Sequence, residues 1–74
     1  MRKILEDEGI LLLESGGKYF LQYDAGELMI KIKNLLISSD EAQAVMKKPA
    51  LSYDIIIDHQ DRGDFGIDAN LEII

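Results

Sequence analysis

Seventy-four residues, 47% of them hydrophobic, with no cysteine and a formal net charge of −6, describe one small acidic domain spanning residues 1–74. A chain of this length buries only roughly 60% of its unfolded surface, and lacking cysteine it has neither a disulfide framework nor a thiolate zinc site. The charge is uneven: residues 1–37 carry five basic and six acidic groups, whereas residues 38–74 carry three and eight. The second half therefore repels nucleic acid and anionic membranes at long range, which argues against duplex DNA as a main ligand.

The opening, MRKILEDE, starts basic, but Glu6, Asp7 and Glu8 arrive before any apolar core, and the longest apolar run in the chain, residues 10–13, has four members. Neither a signal peptide nor a membrane span is expected, and the cytoplasm is the expected compartment.

Residues 9–34 read as a three-stranded antiparallel meander. Gly16-Gly17 supplies a two-residue hairpin loop between GILLLES and KYFLQYD, which pairs Leu13 with Phe20, Leu12 with Leu21, Leu11 with Gln22 and Ile10 with Tyr23. An even-length turn over residues 24–27 then sets Tyr23 against Leu28, Leu21 against Ile30 and Tyr19 against Ile32. This register gathers Ile10, Leu12, Tyr19, Leu21, Tyr23, Leu28, Ile30 and Ile32 on one dry face. A three-residue loop would set Leu21 against Met29 and Tyr19 against Lys31, so the hydrophobic pattern favours the even loop.

The opposite face mixes Leu11, Leu13, Phe20 and Met29 with Lys18, Gln22, Lys31 and Lys33. A solvated face would be mostly polar, so this patch is expected to be covered, either by the C-terminal segment or by a partner anchored on Phe20. Residues 35–37 continue the third strand or lead out of it. SSDEAQAVMKKP then carries helix signals: Ser38 with Glu41 forms a capping box, Lys47 and Lys48 suit the last turn, and Pro49 ends it. A helix over about residues 39–48 is predicted, with a thin apolar stripe of Ala42, Val45 and Met46.

Residues 51–62 also split cleanly as a helix, with Asp54, Asp58 and Asp61 on one strip, Tyr53, Ile55, Ile56 and Ile57 on the other side, and Gly63 placed for a left-handed cap. The three consecutive isoleucines make a strand the competing reading. The helix is preferred, because twelve residues ending at a glycine are long for a strand, and both readings give an α+β fold.

The stretch from residue 53 to 68 holds five aspartates and His59, the single histidine, yet it lacks the pattern that chemistry needs. Catalytic zinc calls for about three protein ligands, and a calcium loop begun at Asp61 would put Gly63 and Phe65 where oxygen ligands are required. His59 beside Asp58 is no dyad, since neighbours point apart on a helix and oppositely on a strand. Gly16-Gly17-Lys18 lacks the spacing of a phosphate loop. No catalytic residue, cofactor or specific metal is implied, and the aspartates read as a solvated acidic strip.

The tail ends in Leu71, Ile73 and Ile74, apolar enough to add as an edge strand, fold over the mixed face or dock on a partner. The expectation is thus a non-catalytic interaction or regulatory module. Its candidate surface is Leu11, Leu13, Phe20, Met29, Lys31, Leu71, Ile73 and Ile74, and its partner is another protein or a second copy. An alternative uses Phe20 among Lys18, Lys31 and Lys33 to hold single-stranded nucleic acid or another anion; a third is a metal-dependent activity at the aspartates.

Overall fold

Two short loops, Glu8-Gly9 and Gly16-Gly17, each reverse the chain between neighbouring extended runs, so the first three strands lie side by side in chain order. The computed structural model describes residues 1–26 and 28–69. Its elements are β1 (Arg2–Asp7), β2 (Ile10–Ser15), β3 (Lys18–Asp24), β4 (Ile32–Ile37), α1 (Ser39–Lys47), α2 (Leu51–Asp61) and β5 (Ile67–Asp68). The strands form one antiparallel sheet in the order β1-β2-β3-β4-β5, and both helices contribute to a single core on one face of it. The chain is α+β, as its sequence implies, but with five strands among the described residues instead of three.

The hairpin of β2 and β3 has the register its sequence dictates: Leu11 opposite Gln22, Leu12 opposite Leu21 and Leu13 opposite Phe20. The next pairing departs from expectation. Leu21 meets Leu35 rather than Ile30, five residues further on, and Tyr19 meets Ile37. An odd shift exchanges the two faces of a strand, so the dry positions of β4 are Leu35 and Ile37, while Leu28, Met29 and Ile30 stand outside the sheet.

Two local features account for the shift. Asp24 accepts hydrogen bonds at 2.9 Å from the backbone N–H groups of both Gly26 and Lys31, and Ala25 N–H donates to Lys31 O at 2.8 Å, so a wide loop is closed through a side chain. The later register also ends β4 one residue before the capping box, which returns α1 directly over Leu21 and Leu35.

The core consists of Leu12, Leu21, Tyr23, Leu35 and Ile37 from the sheet, Ala42 and Val45 from α1, and Ile56 from α2. At the start of α1, Ser38 Oγ accepts from Glu41 N–H at 3.0 Å while Glu41 Oε1 accepts from Ser38 N–H at 2.9 Å. The second helix is the preferred of the two readings of its sequence. It closes with Gly63 at φ +84°, where Gly63 N–H donates to Gln60 O and Asp64 N–H to His59 O, satisfying two of the last carbonyls. Its aspartate strip faces solvent, and Asp58 pairs with Arg62 one turn on at 2.8 Å. Beyond it, β5 adds two residues to the edge of β4, and Lys33 Nζ lies 2.7 Å from Asp68 Oδ1.

Candidate protein-interaction surface

The residues singled out in the sequence are only partly brought together. Leu11, Leu13 and Phe20 share the sheet face away from the helices, with Leu13 buried and the other two half-buried. Met29 and Lys31 lie in the loop between β3 and β4 instead of on that face, a correction that follows from the shifted register. Leu71, Ile73 and Ile74 lie outside the described residues. Asp64, Gly66 and Ile67 approach the outer face and line a shallow cavity of about 360 Å³ with Lys18, Phe20, Asn34 and Leu36.

The same register dismantles the cluster of Phe20 with Lys18, Lys31 and Lys33. Lys33 sits opposite Tyr23, on the helix-side face, and is engaged by Asp68, whose carboxyl is held below its ordinary value by that lysine. Lys31 belongs to the loop, which leaves Lys18 beside Phe20.

A different apolar surface emerges at the end of the sheet where the β3–β4 loop and α2 meet. Leu28, Met29 and Ile30 are 100%, 78% and 79% exposed. The base of that loop, Ala25 and Gly26, forms one wall of a cleft of about 460 Å³, whose other walls include Ile10, Tyr23, Tyr53, Ile56, Ile57 and Gln60. Tyr53 and Ile57 present apolar area to solvent, and Glu8 and Asp24 place carboxylates on the same cleft. Tyr23 is fixed by donating its hydroxyl to Phe65 O at 2.8 Å and accepting from Gln60 Nε2 at 3.2 Å. The cleft is thus an apolar concavity with a few fixed polar groups, and the loop that supplies one of its walls also carries three large exposed side chains in series.

A cluster of titratable groups lies elsewhere. The His59 ring has Nδ1 2.9 Å from Asp64 Oδ2 and Nε2 2.9 Å from Glu41 Oε2, and when protonated it donates to both. Burial by itself would lower the imidazole pKa, and Arg62 adds to that. The bonds to Asp64 and Glu41 outweigh both and hold it above its ordinary value. Burial would raise Glu41, but the Ser38 N–H and the imidazolium pull it down; Asp64 is lowered chiefly by its bond to His59. The result ties the first turn of α1 to the end of α2.

Chemically this is a closed clip. Both ring nitrogens are committed to carboxylates, so neither is left to move a proton to or from a substrate. Ser52 Oγ donates to Pro49 O at 2.8 Å, and Ser38 Oγ is occupied by the cap. Among the described residues no three histidine or carboxylate side chains converge to surround a cation. No helix among them is long and apolar enough to cross a membrane.

The clip escaped sequence reasoning because its members are 18 and 5 residues apart and meet only when the helices pack. The exposed loop escaped it because Leu28, Ile30 and Ile32 alternate as a strand would. Comparison of the chain with protein-family models, with curated proteins and with solved structures yields no match.

Proposed function

We propose that the protein is a non-catalytic interaction module that docks another protein through the apolar β3–β4 loop and the adjoining cleft. The observation that carries this reading is the run Leu28, Met29 and Ile30, three large apolar side chains standing almost wholly in solvent on a loop whose base is tied by Asp24. Isolated exposed apolar residues are ordinary, but three in series on one loop expose a large apolar area together, and such exposure is characteristic of binding surfaces. Glu8 and Asp24 at the cleft, in a chain of net charge −6, suit a partner segment whose apolar side chains are flanked by lysine or arginine. The occupied nitrogens of His59 and the engaged hydroxyls of Ser38 and Ser52 support a non-catalytic role.

The test is co-purification from the native source with wild type and with Leu28→Ser/Met29→Ser/Ile30→Ser. Because these side chains lie outside the core, the triple variant should keep the wild-type melting temperature and lose the bound protein. A partner retained equally by the triple variant refutes the assignment of this surface.

A further inference from the structure

Among the described residues nothing pairs with the outer edge of β1, a six-residue strand whose backbone groups on the side away from β2 have no strand partner. Its sequence is Arg2-Lys3-Ile4-Leu5-Glu6-Asp7, basic at one end, apolar in the middle and acidic at the other. Laid antiparallel against a second copy, it sets Arg2 against Asp7, Lys3 against Glu6, and the apolar centre against itself. On an unbroken strand that match would fail, because residues three or five apart point to opposite faces, whereas cross-strand partners must share one.

The fold removes this obstacle. A bulge between Lys3 and Leu5 inserts Ile4 as an extra residue, so the alternation is reset in mid-strand. Arg2 lies opposite Glu14 and Asp7 opposite Ile10, two positions of β2 on the same face; Lys3 and Glu6 lie opposite Leu13 and Leu11, which share the other face. The four charges are thereby sorted into two complementary pairs, each on its own side of the sheet. Ile4 and Leu5 both pack toward the core and coincide at the centre of the strand.

We propose that β1 is a self-complementary edge through which two copies of this chain pair antiparallel, forming a two-fold dimer whose sheet runs continuously from one β5 to the other. Bulges and charges can also blunt an edge against any pairing. A purely defensive edge does not require its charges sorted by sign and by face, and here parallel pairing would bring like charges together, while an antiparallel slip of two residues would set the charges against Ile4 and Leu5. Among the described residues Lys3, Glu6 and Asp7 make no side-chain ion pair, and Arg2 pairs with Glu14 at 3.3 Å on an exposed surface, so three of the four charges are uncommitted. The two-fold axis sends the β3–β4 loops of the two copies to opposite ends of the dimer. The edge pairing is therefore independent of the docking surface proposed above.

A contact of this size is weak, with dissociation constants of about tens to hundreds of micromolar. Sedimentation equilibrium at low salt, up to about 1 mM protein, reads it directly. Lys3→Glu alone and Glu6→Lys alone should each weaken dimerisation about tenfold or more, since each turns two attractive pairs into two repulsive ones. A mixture of the two single variants should form heterodimers, and Lys3→Glu/Glu6→Lys in one chain should restore the homodimer; circular dichroism checks that all remain folded. The proposal is overturned by a wild-type protein that stays monomeric throughout. It is equally overturned by a dimer indifferent to both single variants, or by single variants that fail to associate when mixed.

Discussion

Leu35 and Ile30 are both apolar and five residues apart, and the sheet register decides which of them faces Leu21. In the structure Leu35 is 0% exposed, opposite Leu21 beneath the helices, while Ile30 is 79% exposed. Truncating a fully buried leucine removes its transfer free energy and leaves a cavity, for which about 3 kcal/mol is a central value. A domain of this length has a total stability of roughly 4–11 kcal/mol at the usual per-residue range. Leu35→Ala therefore removes about a quarter to three quarters of it, with a fall in melting temperature of roughly 12–24 °C. Ile30→Ala takes away a side chain that touches little, and its effect should stay within about 0.5 kcal/mol. Urea unfolding followed by circular dichroism measures both, and an unchanged denaturant slope confirms that the same two states are compared. Equal destabilisation by the two variants, or a greater loss from Ile30→Ala, would refute the register and with it the exposed loop on which the proposed docking surface depends.

The His59 clip predicts a specific pH dependence. A raised imidazole pKa contributes stability that is fully present below the ordinary value of about 6.5 and is lost as pH rises through the folded-state value. Glu41 and Asp64, both lowered, contribute stability present above about pH 4 and lost as pH falls through their folded values. The wild-type urea midpoint should thus decline as pH rises from about 6.5, and His59→Gln should remove that decline; a parallel decline in the variant would show that another group causes it. Gly66 has φ +82°, and a Cβ there would stand 2.6 Å from Asn34 O, a backbone atom that cannot give way without disturbing β4. Gly66→Ala should cost roughly 1–3 kcal/mol in thermal unfolding, and a neutral result would mean that residues 64–67 do not pass so close to β4. Ser38→Ala should cost about 1 kcal/mol by leaving the Glu41 N–H without its cap, and should lose amide-exchange protection first at the start of α1.

The features that were legible in the amino-acid sequence are those whose physical cause is local. Gly16-Gly17 sets a two-residue loop, and the alternation on either side then leaves one register that separates wet from dry, the one observed between β2 and β3. Ser38 and Glu41 sit three residues apart because a capping box needs that spacing, and Gly63 follows α2 because its cap needs positive φ. A local signal for β1 was also present, in the Glu8-Gly9 loop ahead of ILLL. It was overlooked because Arg2–Asp7 holds only two apolar residues, and an edge strand has one neighbour to satisfy.

Tertiary structure decided what the sequence left degenerate. Residues 28–37 contain two apolar alternations, Leu28 with Ile30 and Ile32, and Leu35 with Ile37, either of which makes a dry face against β3. The choice fell to the second because it closes the loop on Asp24 and brings α1 over the sheet, and the second of these gains involves helix residues outside the strand pair being matched. The pairing of His59 with Glu41 and Asp64 has the same origin, since a charge clip across two helices exists only after their packing brings the groups within 2.9 Å. Local chemistry therefore determined the elements and their caps. Long-range packing determined which apolar residues went inside, and so which were left in solvent.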